Sequence, residues 1–168
     1  MSSLHAYLFP LAVLAAVGSG LVAGLLFAFS TAVMRALQRL PPEQGMRAMQ
    51  HINVVILNRT FLGIFNGTTL LSALLAVFAL FGGNGPAGWW MLAGAAAYLV
   101  GTFGVTIVVN VPLNNRLAAT DASAPEGAAT LATYVDKWLR WNHLRTLMGV
   151  AAMLSFTLSA VHLRNAVA

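Results

Sequence analysis

The chain has 168 residues, of which 59% are hydrophobic and 8% charged, and its mean hydropathy is +0.79. Soluble domains carry roughly 25% charged residues, so this composition indicates an integral membrane protein. The sequence has no cysteine, which excludes thiol nucleophiles, disulfide exchange and thiolate metal sites. A formal charge of +5 could suggest nucleic-acid binding, but the nine Lys and Arg are spread beside apolar runs. We therefore expect no nucleic-acid partner.

Long uncharged apolar runs reach the roughly 18 residues that predict a membrane-spanning helix. They indicate an all-α fold, an integral membrane four-helix bundle that forms one domain over residues 1–168. After Pro41, a helix is predicted to start at Pro42 or Glu43 in the interface and to continue into the second span. The fourth span also begins with an interfacial extension, near Tyr134. The predicted spans cover about residues 7–34, 54–81, 88–110 and 144–163.

The basic residues are distributed unevenly between the predicted loops. Loop 2, residues 82–86, has none, whereas loops 1 and 3 with their flanks carry Arg35, Arg39, Arg47 and Arg59, and Arg116, Lys137, Arg140 and Arg145. The positive-inside rule therefore predicts cytoplasmic loops 1 and 3 and both termini outside. We expect a multi-pass protein of the plasma (inner) membrane whose surroundings are the lipid bilayer. Whether it forms a homo-oligomer is left open.

Small residues repeat every four positions in the first span. This small-xxx-small pattern lets helix backbones approach closely in lipid, so Gly20 and Gly24 are predicted to lie at a tight helix–helix contact. The repeat consists of Ala16, Gly20, Gly24 and Ala28.

A polar block, Asn110 to Arg116, closes the third apolar run. Asn110 and Asn114 are four residues apart, so they share one face if the helix continues past Pro112. Proline has no N–H and crowds the carbonyl four residues earlier, so a kink is expected beside the two amides.

A second polar block opens the last apolar segment. Its inward stripe is predicted from helical spacing and small residues, and places Asn142 and Arg145 toward the bundle. A separate stripe of Asp136, Arg140 and His143 fits a solvated salt-bridge edge. Arg145 can hydrogen-bond Asn side chains and kinked backbone, hold an anionic substrate group, or snorkel to the lipid headgroups. The inward stripe is Trp138, Asn142, Arg145, Gly149, Ala152 and Phe156.

The second span carries two polar stripes that cannot point at one spot. Arg59, Gly63 and Asn66 form one, and His51 and Asn58 form the other. His51 and His143 are both expected on the cytoplasmic side, so a metal or haem held by both is an alternative. Two histidines without nearby acids make a poor metal set, and no metal ligand is predicted otherwise.

Five segments together resemble the anthrone oxygenase-like family of small integral membrane proteins, over nearly the whole chain. They are residues 27–34 (FAFSTAVM), 48–53 (AMQHIN), Asn58, 110–114 (NVPLN) and 141–146 (WNHLRT). Where related sequences often have proline after the Asn matching Asn58, this chain has Arg59. The resemblance implies a four-helix membrane protein, with named members that oxidise polyketide anthrones to anthraquinones with dioxygen and no established cofactor. It also implies a site lined by Asn53, Asn58, Asn110, Asn114, Asn142, His143 and Arg145.

An oxygenase that acts on a phenolic carbon acid without a metal needs a base, donors that stabilise the enolate, and a water-poor cavity. The expected catalytic residues are His143 or His51 as base, Asn110, Asn114 and Asn142 as donors, and Arg145 as electrostatic stabiliser. An apolar small-molecule substrate would be bound by Asn53, Asn58, Arg59, Asn66, Trp138 and Trp141.

Three other functions remain as alternatives. A non-catalytic binding or assembly subunit would use its amides only to tie helices together and would have no ligand-sized cavity. A His-ligated metal or haem membrane protein is a second alternative, and a visible absorption spectrum of the purified protein would test for the haem. A proton-coupled transporter is disfavoured, since it needs a titratable carboxylate inside the membrane and no predicted span contains Asp or Glu.

Overall fold

The computed structural model describes residues 2–82 and 85–165, with side chains from Tyr7 onward, and these residues form five helices and no strand. Four helices are long and apolar enough to cross a membrane, and the fifth, α2, is not. The predicted all-α, four-span membrane fold is therefore confirmed. The predicted turn at 82–86 includes Gly83 and Asn84, which lie outside the described residues. The helices are α1, Ser2–Ala28 continued by a π-helical turn at Phe29–Val33 and by Met34–Leu37; α2, Pro42–Val55; α3, Arg59–Gly82; α4, Gly85–Ala96 continued by π-helical Ala97–Gly104 and Thr106–Asn110 and by Val111–Ala118; and α5, Gly127–Asn165.

Helix α5 is the element against which α1 and α4 pack, and α3 lies against α1 and α4. Glycines permit the close approach. A Cβ atom on Gly149 of α5 would lie 3.0 Å from the Cβ of Ala23 in α1, and one on Gly101 of α4 would overlap Met148 of α5. Because lipid tails are as apolar as the helix surfaces, such close backbone packing is a main source of association between membrane helices.

The predicted close packing through Gly24 is wrong. Gly24 is exposed, and a Cβ atom added there would have no atom within 4 Å, while Gly20 faces only the flexible end of Met153. Helix α1 is apolar around its whole circumference, so its sequence does not show which face meets protein and which meets lipid. The buried face instead includes Leu8, Ala12, Ala15, Ser19, Val22 and Leu26.

The expected continuous helix through residues 42–81 is interrupted at residues 56–58. Asn58 ends the interruption, because its Oδ1 accepts the backbone N–H of Phe61 at 3.0 Å. Asparagine is among the preferred residues at a helix N-terminus for this reason. Two consecutive helices, α2 and α3, replace the single predicted one, so residues 51 and 58 do not share a helical stripe.

The end of the bundle that carries α2, called the α2 end below, has its own apolar cluster. Met34, Met46, Met49 and Leu117 are buried there with Tyr134. The Gln50 side chain donates to two carbonyl oxygens, that of Leu117 in the last turn of α4 at 2.9 Å and that of Thr120 just after the helix at 3.0 Å. These contacts hold α2 over the extended parts of α4 and α5.

Candidate functional site

The buried stripe of α5 carries an arginine inside the bundle. Arg145 is 5% exposed. One of its terminal nitrogens donates to Thr106 Oγ1 at 3.0 Å and the other to Asn142 Oδ1 at 2.5 Å. The guanidinium carbon lies 5.4 Å from the centroid of the Trp138 ring, within range of a cation–π contact. The inward orientation of this stripe, from Trp138 to Phe156, is thus confirmed.

No carboxylate pairs with Arg145 among the residues that the structure describes. The two ion pairs found there, Arg47–Glu43 and Arg140–Asp136, are both exposed at the surface. A buried cation costs several kcal/mol unless it is paired or hydrogen-bonded, so neutral groups must stabilise this one. The snorkelling alternative is wrong, since the side chain is held by bonds within the bundle. Arg145 therefore offers a positive charge to whatever occupies its surroundings.

Asn142 fixes that guanidinium in place. Its side chain is fully buried, and its Nδ2 donates to the Leu26 carbonyl and to Ser30 Oγ, both at 2.8 Å. These two donations orient the amide oxygen toward Arg145. Ser30 lies in the π-helical turn of α1, and such turns are frequent at functional sites.

The two asparagines of the first polar block lie together, as predicted. Helix α4 continues past Pro112, and the turn before it is π-helical, with the Val111 N–H bound to the Thr106 carbonyl. The kink expected there stays a prediction. Asn114 Oδ1 accepts hydrogen bonds from Tyr134 at 2.8 Å and from Trp138 Nε1 at 3.1 Å.

Some buried polar atoms near Arg145 lack a hydrogen-bond partner within the described part of the chain. Asn110 is 1% exposed, and both its amide oxygen and its amide nitrogen are unpaired, as is Arg145 Nε. An unsatisfied buried polar group costs about 1–3 kcal/mol, so each one requires an explanation. A polar ligand group would supply the missing partners.

These side chains line a cavity of about 100 Å³, called the polar cavity below. It lies at the α2 end, between α1, α4, α5 and the junction of α2 with α3. Its polar wall consists of Asn53, Thr106, Asn110, Asn114, Trp138 and Arg145, and its apolar wall includes Leu25, Leu26, Phe29, Ile52, Ile56, Leu57, Phe61 and Val111.

The structure places other predicted site residues away from this cavity. His143 and Trp141 are exposed on the outer side of α5, because they flank the buried Asn142 on the opposite helical face. The expectation that His143 lines the pocket is therefore wrong. Asn58 caps α3 at the surface, and Arg59 and Asn66 are exposed on α3. His51 is exposed too, and among the described residues no group of three or more His, Asp or Glu could hold a metal ion.

Sequence reasoning missed three hydroxyl side chains, Ser30, Thr106 and Tyr134. Each bonds one of the predicted polar residues, with Ser30 at Asn142, Thr106 at Arg145 and Tyr134 at Asn114. Their signal is weak, because a hydroxyl in a membrane helix normally bonds its own backbone one turn earlier. Thr106 does so as well, donating to the Thr102 carbonyl at 2.7 Å.

The family comparison covers most of the polar wall of the cavity. A family model described as Anthrone oxygenase matches residues 59–155, which is more than half of the chain. The chain belongs to the anthrone oxygenase family. In this anthrone oxygenase family member, the matched range contains Asn110, Asn114, Asn142 and Arg145, and it excludes α1 and α2. No curated protein and no solved structure matches the chain.

Proposed function

We propose that this protein oxygenates an apolar phenolic substrate of the anthrone type with dioxygen, and that the polar cavity holds the reacting end of the substrate. The observation that carries the proposal is a buried arginine that has no carboxylate partner among the described residues. It lies beside an asparagine whose two amide atoms are unpaired within the same part of the chain. Arg145 and Asn110 thus present a positive charge and a free donor at one place. An enolate oxygen is a group that requires both.

The chemistry follows from stabilising that anion. Loss of a proton from the ring CH₂ gives an electron-rich enolate, which passes an electron to dioxygen and then combines with the reduced oxygen at carbon. Loss of water from the resulting hydroperoxide leaves a carbonyl. One CH₂ and one O₂ thereby give one C=O and one H₂O, so the carbon is oxidised by four electrons and dioxygen is reduced by four.

The sequence analysis expects a histidine to take the substrate proton, and the structure offers none in the cavity. The residues that line the cavity include no Asp, Glu or His. In our proposal, water takes the proton and the protein lowers the pKa of the bound carbon acid. The contribution of Arg145 is electrostatic: its charge stabilises the enolate more than the neutral ketone, and only such a difference accelerates the reaction.

A non-catalytic assembly subunit explains the site less well. Hydrogen bonds that merely join helices satisfy both partners, as those of Asn142 do. They give no reason for an unpaired, 1% exposed Asn110 beside a cavity. The cavity and its unpaired atoms therefore support substrate binding.

We further propose the orientation in the membrane predicted by the basic residues, with the α2 end in the cytoplasm. Arg164 alone among the nine Lys and Arg follows the last span, and the others lie toward the α2 end. Tags at either terminus should be accessible from outside intact cells. Labelling of loop 2 from the cytoplasm would contradict this orientation.

Oxygen consumption by purified protein in lipid nanodiscs tests the proposed activity. With an anthrone, we expect one O₂ to be consumed per quinone formed. When ¹⁸O₂ is supplied, one of its two oxygen atoms should appear in the product carbonyl. Replacing Arg145 by methionine should lower kcat by about 100-fold, the loss typical of one preorganised oxyanion donor. The matched control is Arg140→Met, which removes an exposed arginine of the same helix. Equal rates for both variants would contradict the role of Arg145.

A further inference from the structure

A second depression lies between α1 and α3, beside the polar cavity. It has a volume of about 570 Å³ and is called the α1–α3 groove. It is lined from α1 by Leu21, Val22 and Leu25, and from α3 and the residue before it by Asn58, Thr60, Phe61 and Ile64. Leu21 is 55% exposed, so the groove opens on the outer surface of the bundle, where a membrane-spanning helix meets lipid.

The groove and the polar cavity share two side chains. Leu25 and Phe61 line both, and each is half-buried. The Phe61 ring packs on Phe65, with centroids 5.5 Å apart and planes 21° from parallel. Leu25 and Phe61 therefore form the boundary between the groove, which faces lipid, and the polar cavity, which contains the buried guanidinium of Arg145.

Size shows that the cavity alone is insufficient for a substrate. Pockets for small molecules usually measure roughly 300–1,000 Å³. The polar cavity, at about 100 Å³, falls below this range, whereas the adjoining groove adds about 570 Å³. The groove wall is mostly apolar, with Asn58 and Thr60 as its polar side chains, whereas the charged guanidinium of Arg145 lies in the polar cavity. This division suits a flat ligand with an apolar ring body and oxygen at one edge.

We propose that the α1–α3 groove is the ring-binding half of the substrate site, and that a polycyclic phenol reaches it sideways from the bilayer. The oxygen-bearing edge passes between Leu25 and Phe61 to reach Arg145, and the remaining rings stay in the groove. This inference rests on the proposed function. It adds the place where the ring system of the substrate lies and an access route through the membrane.

Filling the groove tests the inference. Leu21→Trp adds a larger side chain at the exposed rim of the groove, where it should not disturb the core. Leu25→Trp adds one at the boundary between the groove and the polar cavity. The matched control is Leu147→Trp on the lipid-facing side of α5, at a residue that is 68% exposed. The probe is anthraquinone, whose binding to protein in nanodiscs is measured by equilibrium partition against empty nanodiscs.

We expect anthraquinone to bind about tenfold more weakly to Leu21→Trp and Leu25→Trp, and as tightly to Leu147→Trp as to the unmodified protein. The KM for an anthrone should rise in the same two variants and stay unchanged in Leu147→Trp. If Leu25→Trp does not fold, Leu21→Trp decides alone. Unchanged affinity in the folded groove variants would overturn the groove assignment while leaving the oxygenase proposal intact. Failure of the unmodified protein to bind anthraquinone would overturn the inference, and failure to oxidise an anthrone would overturn the proposed function.

Discussion

Removing Asn142 should destabilise the protein mainly through the charge that it leaves unpaired. In Asn142→Ala, Arg145 loses an acceptor at 2.5 Å, and the donations to Leu26 and Ser30 disappear. A hydrogen bond to a charged group contributes about 1.5–3 kcal/mol. An interhelical bond within a membrane contributes about 0.6 kcal/mol, so the two neutral bonds add roughly 1 kcal/mol. The free energy of unfolding should therefore fall by about 3 kcal/mol.

A double-mutant cycle isolates the charged part of this loss. In an Arg145→Met background no cation needs the amide oxygen, so Asn142→Ala should cost only about 1 kcal/mol. The coupling energy is then about 2 kcal/mol. Arg145→Met alone should cost about 1–3 kcal/mol, because it leaves the buried Asn142 oxygen without its donor. Unfolding of each variant by sodium dodecyl sulfate in mixed micelles gives the four free energies, and Asn66→Ala, at an exposed asparagine, is the control. A coupling energy near zero would refute the reasoning.

Two further predictions concern the scaffold. Gly101→Leu should lower the unfolding temperature strongly, because its side chain would overlap Met148, while Gly24→Leu should have little effect; equal shifts in a thermal unfolding assay would contradict the packing described. Gln50→Ala should loosen α2 and raise the amide hydrogen exchange of that helix, since two bonds to the end of α4 are lost at about 0.5–1.5 kcal/mol each; exchange unchanged relative to the exposed-site control Gln44→Ala would contradict it.

The sequence predicted the site best where polar side chains recur at helical spacing within one helix. The i, i+4 relation of Asn110 and Asn114 and the inward stripe that contains Asn142 and Arg145 needed only the geometry of a continuous helix, and both are found. His143 was predicted as a site residue mainly because histidine is a common base, and that prediction is wrong. It follows Asn142 directly, so a helix that buries Asn142 turns His143 outward.

Other features depended on tertiary contacts that one sequence does not show. Helix α1 has small residues on several faces, and the face that packs is chosen by its neighbours, as at Ala23 against Gly149. The break before α3 did have a local signal, since Asn58 is a preferred capping residue, but the apolar run around it masked the boundary. Thr106 and Tyr134 bond side chains 39 and 20 residues away, so only the folded chain identifies them as partners.

An anaerobic titration tests most directly the central claim that Arg145 stabilises an enolate in the polar cavity. Without dioxygen the bound substrate cannot turn over, and the enolate of an anthrone absorbs at longer wavelength than its keto form. Recording absorption spectra against pH in nanodiscs therefore gives the pKa of the bound carbon acid. We expect this pKa to be lower on the unmodified protein than in empty nanodiscs, and the decrease to be lost in Arg145→Met but kept in Arg140→Met. An equal pKa on the unmodified protein and on Arg145→Met would contradict the account.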